Sequence, residues 1–201
     1  MDSAPPITPA ANPLVLFRQW FAEAATHEPG LPEAVSLATV NRDHRPSVRM
    51  VLLKDFGDDG FVFYTNTQSR KGQEIGDNSY GAMCCYWKSV SRQVRIEGTF
   101  APVTVAEADA YFNSRPRDSQ LAAWASLQSE TLSARSTLFE RFKAVAAQYE
   151  GGPVPRPPHW SGYRLRPTMI EFWQDVPNRL HDRVVYEHAA SAGWQWRRLY
   201  P

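Results

Sequence analysis

The sequence predicts one α+β domain built around a sheet of short antiparallel strands. Its 201 residues suit one large domain, and a chain of this length buries a sizeable core without disulfides or metal ions. The strand-like segments are short and separated by tight turns, which favours hairpins over βαβ units. Strands come first, helices follow and strands return, so we expect the C-terminal strands to complete the sheet.

The N-terminal half contains one predicted helix and five predicted strands. Residues 1–13 include four prolines and are expected to form a disordered leader, which leaves 14–201 as the single domain. Residues 14–25 carry apolar side chains at helical spacing, which indicates an amphipathic helix. Alternating or continuous apolar segments bounded by turns then predict strands over residues 34–40, 47–54, 60–65, 82–87 and 93–103.

The C-terminal half begins with helices and ends with strands. Helical patterns cover residues 105–114, 119–126 and 132–149, and Pro116 separates the first of these from the second. Residues 151–158 contain four prolines and predict a stiff linker. Strand patterns then return at residues 163–165, 169–173, 183–186 and 194–199.

Composition excludes several classes of protein. The chain has 22 Lys and Arg against 21 Asp and Glu, and this near-neutral balance argues against a general nucleic-acid binder. No apolar run reaches the roughly 18 residues of a membrane span, and the N-terminus does not resemble a secretory signal. Cys84 and Cys85 would point to opposite faces of a strand, and no Cys/His spacing suits zinc. We therefore expect a cytoplasmic protein with reduced cysteines and no metal.

Three segments place cations beside hydroxyl groups in patterns that suit phosphate. Arg49 and Lys54 lie on one predicted strand and face opposite sides of it, so the strand could serve two anions. Residues 64–71 end a strand in a polar turn with adjacent Arg and Lys. The third segment follows four-residue helical spacing, which aligns a phenol, a guanidinium and a hydroxyl: Tyr111, Arg115 and Ser119. Each segment alone also fits an ordinary solvated basic face.

A fourth segment places an imidazole between two guanidinium groups. If residues 179–183 form a strand, then Arg179, His181 and Arg183 share one face. Such a cluster is costly unless an anion compensates its charge. Trp173 lies nearby in sequence and offers a surface on which a ring could stack. The pattern favours a binding site over a solvated face.

Short motifs along the chain together match a known family. In order, they are RMVLLK from Arg49, FYTN from Phe63, SRK from Ser69, RQVRIEG from Arg92, YFNSRPRDSQLAAWAS from Tyr111, QS from Gln128, EFWQ from Glu171, RLHDR from Arg179 and RRLYP at the C-terminus. In their order and spacing, the chain resembles the pyridoxine/pyridoxamine 5′-phosphate oxidase family from residue 14 to residue 201. The resemblance implies an FMN-binding split β-barrel, antiparallel and Greek-key-like with peripheral helices. It also implies a homodimer whose sites lie at the subunit interface.

The resemblance implies roles for particular residues. The residues expected to bind FMN are Arg49, Met50, Val51, Leu52, Tyr64, Thr65, Arg70, Lys71, Gln93, Gln128, Ser129, Trp173 and Arg183. Among them, Arg49, Arg70 and Lys71 would hold the phosphate and ribityl end. The residues expected to bind the substrate phosphate are Lys54, Tyr111, Arg115 and Ser119. Arg179 and His181 would lie against the substrate ring as the candidate catalytic residues, with Arg179 fixing the substrate and His181 assisting.

The implied reaction is the oxidation of pyridoxine 5′-phosphate or pyridoxamine 5′-phosphate to pyridoxal 5′-phosphate. A hydride passes from C4′ of the substrate to flavin N5, dioxygen reoxidises the flavin to give hydrogen peroxide, and the amine substrate also releases ammonia. The protein contributes mainly orientation. The chain departs from the family pattern at Asp175, where members often have glycine, so its substrate affinity could differ.

Two other functions stay open at this point. A related split-barrel flavin oxidase could act on another ring, as in phenazine biosynthesis, although such a substrate would not need the four phosphate donors. A non-catalytic flavin-binding or pyridoxal-phosphate-binding protein would use the same binding residues, although storage does not require Arg179 and His181 at the ring. A nucleic-acid-binding barrel fits poorly with the neutral net charge.

Overall fold

One antiparallel sheet of nine strands organises the residues that the computed structural model describes, which are 5–189 and 192–201. The strands are β1 (Ala34–Val40), β2 (Pro46–Leu52), β3 (Asp55–Gly57), β4 (Gly60–Asn66), β5 (Tyr80–Trp87), β6 (Arg92–Pro102), β7 (Trp160–Gln174), β8 (Asp182–Ala189) and β9 (Gly193–Arg198). Seven of them follow one another in the order β2-β1-β5-β6-β7-β4-β3, while β8 pairs with β7 and with β9. The return of the C-terminal strands to the first sheet confirms the predicted α+β class.

The longest strand, β7, joins the two parts of the sheet. It pairs with β6 over nearly its whole length, with β4 over its first half and with β8 over its second half. The register shifts immediately before Gly98 of β6, where a Cβ atom would lie 2.0 Å from the carbonyl oxygen of Arg166. Glycine permits this close approach, and the irregularity bends the sheet. The separate strands predicted over residues 163–165 and 169–173 are therefore one continuous strand.

The described residues also form five α-helices. These are α1 (Pro13–His27), α2 (Arg70–Asp77), α3 (Val105–Ser114), α4 (Arg117–Ala125) and α5 (Arg135–Gln148). Four of them lie where the sequence predicted helices. The helix α2 begins inside the turn predicted over residues 64–71 and continues through residues for which no element was predicted. None of these helices is long and apolar enough to cross a membrane.

The main hydrophobic core lies between α1 and the sheet. Phe17 of α1 is fully buried and packs edge-on against Phe61 with ring centroids 4.9 Å apart. Trp20, one turn later, meets Phe172 of β7 edge-on at 5.2 Å. Helical spacing thus puts both aromatic rings on the buried face of α1, as the sequence pattern predicted.

Residues 5–12 lie against the sheet, which differs from the disordered leader predicted for residues 1–13. Ile7 is buried, and its backbone N–H donates to Asp182 Oδ2 at 2.6 Å. The segment docks because β8 supplies partners for its backbone groups, which the proline content of the segment did not reveal. Residues 1–4 lie outside the described part of the chain.

Candidate active site

A cavity of about 410 Å³ lies between β2, β4 and the junction of α3 with α4. Its volume falls within the range of about 300–1,000 Å³ that is typical of small-molecule sites. Its lining combines apolar, hydroxyl and cationic side chains: Met50, Val51, Leu52, Lys54, Tyr64, Thr65, Lys71, Tyr111, Arg115, Pro116, Ser119, Gln128 and Trp160. All of these except Pro116 and Trp160 are residues that the sequence predicted for FMN or for the substrate phosphate. The structure therefore brings members of both predicted sets into one cavity.

Arg115 lines this cavity and carries a buried guanidinium nitrogen. It caps the C-terminus of α3, and its guanidinium lies over the Trp160 ring, 4.7 Å from the ring centroid. Its Nη1 atom is buried, and no hydrogen-bond partner reaches it among the described residues. Burial lowers the pKa of Arg115, although a guanidinium in a protein stays protonated. A buried cation with an open donor is costly, so an anion in the cavity would satisfy it.

Three further donors line the cavity with Arg115. Tyr111 comes from α3, Ser119 from α4 and Lys54 from the segment after β2. Because the helix is interrupted at Pro116, the prediction that Tyr111 and Ser119 lie on one helical face is wrong. The two side chains come from two separate helices instead. The junction still places a phenol, a hydroxyl, an ammonium and a guanidinium around one space, which is a donor set suited to phosphate.

Three aromatic rings form a stack in the wall of the cavity. The Tyr64 ring stacks on Tyr111 at 4.0 Å and on Trp160 at 5.4 Å between centroids. A Cβ atom at Gly162 would lie 2.8 Å from Tyr64 Cδ1, so glycine leaves the room that this ring needs. Burial raises the pKa of Tyr64, and the negative charge of Glu107 adds to the effect. Sequence analysis missed Trp160, because a single tryptophan at the start of a strand gives no more than a core-like signal.

A cationic cluster, formed by Arg49, Arg70 and Lys71, lies beside the cavity where α2 begins. The Lys71 ammonium donates to Thr65 Oγ1 and to Gln128 Oε1, both at 3.2 Å. Burial lowers the pKa of Lys71, and the positive charge of Arg49 lowers it further. All three cations were predicted for the phosphate end of FMN. Two of them, Arg49 and Arg70, pair with one buried carboxylate.

That carboxylate is Glu74 of α2, which sequence analysis missed. Glu74 is 4% exposed, and its two oxygens accept hydrogen bonds from four side chains: Thr39, Ser47, Arg49 and Arg70. Burial opposes ionisation, but these hydrogen bonds outweigh it and lower the pKa of Glu74 to about 2. The Arg70–Glu74 pair has the i, i+4 spacing of a helix, so recognition of α2 would have provided a signal for it.

The loop between α4 and α5 closes over the cationic cluster. The Thr65 hydroxyl donates to Gln128 Oε1 at 3.3 Å, and the Arg70 backbone N–H donates to Ser129 Oγ at 3.1 Å. Ser129 has a φ of 77°, a left-handed conformation that is uncommon outside glycine and is frequent at functional sites. Gln128 thus contacts the Lys71 ammonium and Ser129 contacts the backbone of Arg70, so both predicted residues lie at the cationic cluster.

The remaining predicted residues form a distal group at the ends of β6, β7 and β8. Gln93, Trp173 and Arg183 are neighbours in the register of these three strands. The His181 ring lies beside Trp173, with centroids 4.7 Å apart, and Arg179 precedes it in the same loop. Within the described part of this one chain, none of the five residues lines the cavity.

Arg179, His181 and Arg183 do not share one strand face, so that part of the sequence prediction is wrong. A 3₁₀ turn covers Pro177–Arg179, and β8 begins only at Asp182. Arg179 has a φ of 62°, so the backbone is left-handed at this position. A turn replaces the strand because this loop must reverse the chain between β7 and β8, which are antiparallel neighbours.

Comparison with known proteins gives consistent matches along the chain. Residues 22–149 match the family described as "Pyridoxamine 5'-phosphate oxidase", and residues 160–201 match the "Pyridoxine 5'-phosphate oxidase C-terminal dimerisation region". Proteins named pyridoxine/pyridoxamine 5′-phosphate oxidase from Brucella canis and Brucella abortus are each 53% identical over the whole of this chain and 99% of their own length.

Solved structures support the same fold. PhzG from Burkholderia lata, in complex with tetrahydrophenazine-1-carboxylic acid, is 33% identical with a TM-score of 0.90 over 96% of this chain and 94% of its own. A pyridoxamine 5′-phosphate oxidase-related, FMN-binding protein from Nostoc punctiforme is 17% identical with a TM-score of 0.75 over 97% of this chain and all of its own. The predicted split β-barrel is therefore confirmed. Because the first family match spans most of the sequence and the Brucella proteins align along its full length, the chain belongs to the pyridoxamine 5′-phosphate oxidase family.

Proposed function

We propose that this protein oxidises pyridoxine 5′-phosphate or pyridoxamine 5′-phosphate to pyridoxal 5′-phosphate, with FMN as cofactor and dioxygen as electron acceptor. One observation carries the proposal: the cavity and its margin offer two separate donor sets for phosphate. One set surrounds the open donor of Arg115, and the other is the cationic cluster. The names of the Brucella relatives support the same activity.

The cationic cluster fits the phosphate of FMN. A phosphate monoester carries about −1.5 to −2 charges, and arginine and lysine are its strongest partners in proteins. The cavity beside the cluster is lined by Met50, Val51 and Leu52 of β2 and by Tyr64 and Thr65 of β4, which would contact the flavin. Bound FMN would supply the redox chemistry by accepting a hydride from C4′ and passing the electrons to dioxygen, which leaves as hydrogen peroxide.

The second donor set anchors the substrate by its phosphate. Lys54, Tyr111, Arg115 and Ser119 would surround this group, and the anion would satisfy the buried Arg115 nitrogen. A substrate held at one end in this way has few orientations open to its ring. Orientation of the reacting carbon contributes a large part of the rate in such reactions.

The distal group would complete the cavity of a partner subunit in a homodimer. Its members do not line the cavity of their own chain, and four of them lie within residues 160–201, the match to a dimerisation region. In this arrangement Arg179 and His181 contact the substrate ring, while Gln93, Trp173 and Arg183 contact the flavin. The site would then form only when two chains associate.

A second candidate function rests on the likeness to PhzG. That protein shares the fold with a TM-score of 0.90 and was solved with a phenazine carboxylic acid. A reduced phenazine acid has no phosphate, so it would leave the Arg115 donor and its three neighbours without a dianionic partner. The donor set around Arg115 therefore favours the phosphorylated vitamers.

An anaerobic titration tests the proposal. The purified protein should show flavin absorbance after FMN is supplied, and pyridoxine 5′-phosphate or pyridoxamine 5′-phosphate should bleach it without oxygen. Admission of air should restore the absorbance and release hydrogen peroxide. Bleaching by a reduced phenazine acid alone would support the second candidate, and bound flavin that no substrate bleaches would indicate a non-catalytic binding protein.

Two variants separate cofactor binding from turnover. Arg179→Ala should lose most activity but retain FMN, because Arg179 is assigned to the substrate ring. Arg49→Ala should weaken FMN retention, because Arg49 belongs to the cationic cluster. Flavin content and turnover, measured on both variants, give the comparison, and the reverse pattern would contradict the residue assignments.

A further inference from the structure

The Glu74 carboxylate connects the hydrogen bonds around the cationic cluster. Its Oε1 accepts from Arg70 Nε at 2.8 Å, and its Oε2 accepts from Arg49 Nη2 at 2.9 Å. The hydroxyls of Thr39 and Ser47 bridge the same groups, since each accepts from Arg49 and donates to Glu74. Three elements, β1, β2 and α2, are thus tied to one carboxylate.

The charges of the cluster also depend on Glu74. Arg49, Arg70 and Lys71 bring three positive charges to one region, and the Glu74 carboxylate offsets one of them. The remaining charge of about +2 matches a phosphate monoester, which carries about −1.5 to −2 charges. Without the carboxylate, Arg49 and Arg70 would repel each other and lose the partner that fixes their orientation.

We propose that Glu74 is a positioning residue, which holds Arg49 and Arg70 in the orientation that receives the phosphate of the cofactor. The proposal rests on the function proposed above, because that function assigns the cationic cluster to FMN. Glu74 itself does not contact the phosphate in this scheme. Its effect passes through the two guanidinium groups. Among the described residues, Glu74 binds only Nε of Arg70 and leaves both Nη atoms of that residue to a ligand, whereas Arg49 keeps its Nε donor.

A merely structural role for Glu74 makes a different prediction. If the carboxylate only anchored α2 to the sheet, its loss would weaken every ligand of the cavity to the same extent. If it positions the arginines, its loss weakens only ligands that carry the phosphate. Coulomb's law alone predicts a third result, since removal of a negative charge beside the cluster would tighten phosphate binding.

The test compares FMN with riboflavin, which has the same ring and no phosphate. Apoprotein is titrated with each flavin, and the quenching of flavin fluorescence gives the two dissociation constants. The wild type should bind FMN much more tightly than riboflavin. In Glu74→Gln, which keeps the shape of the side chain but not its charge, we expect FMN to bind about 10-fold more weakly. Riboflavin affinity should stay unchanged.

Glu171→Gln is a matched control. Glu171 is another buried glutamate, with a side chain 5% exposed as in Glu74, and it also pairs with two arginines, Arg95 and Arg183. It lies outside the cationic cluster, and its partner Arg183 is assigned to the flavin, which FMN and riboflavin share. Its variant should therefore keep the wild-type ratio of FMN to riboflavin affinity. Ser47→Ala provides a milder variant if Glu74→Gln fails to fold, and it should lower the same ratio by a smaller factor.

The outcomes are distinguishable. A selective loss of FMN affinity in Glu74→Gln, or in Ser47→Ala, supports the positioning role. Equal losses for the two flavins, or tighter FMN binding, would overturn it while leaving the proposed function intact. If the wild type does not discriminate between FMN and riboflavin, the cofactor assignment fails, and the role of Glu74 fails with it.

Discussion

At the scale of single residues, Arg115 offers the sharpest test of the substrate. Its buried Nη1 has no partner among the described residues, and its guanidinium rests on Trp160. We expect Arg115→Met to raise the KM for pyridoxine 5′-phosphate about 100-fold, because a charge-assisted hydrogen bond is lost in a buried site. FMN content should not change. Steady-state kinetics and flavin absorbance check both, and loss of flavin instead would place Arg115 at the cofactor.

Glu74 should give the fold a defined sensitivity to acid. Its pKa is about 2 in the folded chain against an ordinary value of 4.5, because hydroxyl and guanidinium donors outweigh the effect of burial. A carboxyl with a lowered pKa stabilises the fold above its unfolded pKa, and this contribution disappears as the pH falls toward the folded value. Between those two values we expect the wild-type apoprotein to lose about 3 kcal/mol of unfolding free energy through this group.

Chemical unfolding of Glu74→Gln at a series of pH values isolates that contribution. The variant should be less stable than the wild type near neutral pH and should lose less stability as the pH falls through the acid range. Glu140→Gln, at an exposed position on α5, should keep the wild-type pH dependence. Identical pH dependences in the wild type and Glu74→Gln would show that the carboxylate does not stabilise the fold.

At the scale of elements, the sequence predicted those strands and helices whose apolar residues recur with a regular period. The predicted strand over residues 34–40 and the predicted helix over residues 105–114 agree with β1 and α3 at both ends. The α2 helix was missed because Ile75 is its only large apolar side chain, so there is no apolar stripe to detect. The cap from Ser69 and the ion pairs of Glu74 stabilise it instead.

In the candidate site, too, the sequence identified residues that belong to a local pattern and missed residues that act through distant contacts. Short motifs identified most residues that line the cavity, because each motif is local in sequence. Trp160 and Glu74 were not identified, because their roles depend on contacts with Arg115 and Arg49, which are distant in sequence. Contacts of this kind follow from the packing of elements and leave no local pattern. The one local signal for Glu74, its i, i+4 spacing from Arg70, depends on the recognition of α2.

The loop between β7 and β8 is a second element whose role follows from its contacts. His181 Nδ1 lies 2.9 Å from Asp175 Oδ1, and this contact spans the left-handed turn at Arg179. Since left-handed backbone costs about 1–2 kcal/mol for residues other than glycine, the turn needs support from such contacts. We expect Asp175→Ala to lower kcat/KM about 10-fold through a displaced Arg179, with FMN content unchanged.

Asp175→Asn separates hydrogen bonding from charge at this loop. An asparagine can still contact the His181 ring, so its loss of kcat/KM should be smaller than that of the alanine variant. Steady-state kinetics with pyridoxine 5′-phosphate, together with flavin absorbance, provide the measurement. An unchanged kcat/KM in Asp175→Ala would show that the contact does not support the loop.

At the scale of the whole molecule, the outward face of β2 indicates where a partner chain binds. β2 lies at one edge of the sheet, and its outward side chains Val48 and Met50 are 69% and 62% exposed. Met50 also lines the cavity. Soluble proteins rarely leave an apolar row on an edge strand uncovered. A partner that covers this face of β2 would therefore lie beside the cavity, where the proposed site needs a distal group.

Val48→Asp tests this arrangement without altering a residue assigned to a ligand. In a two-fold dimer the change occurs twice in the interface, and each buried charge would lack a partner, so we expect about 100-fold weaker dimerisation. The monomer should also lose FMN affinity and turnover, because the proposed site takes its distal group from the other chain. Val105→Asp is the matched control, since Val105 is also 69% exposed but lies on α3.

Sedimentation velocity and flavin content at several protein concentrations provide the measurement. A monomeric variant that keeps FMN and turnover would show that each chain contains a complete site, and an unchanged dimer would place the interface elsewhere.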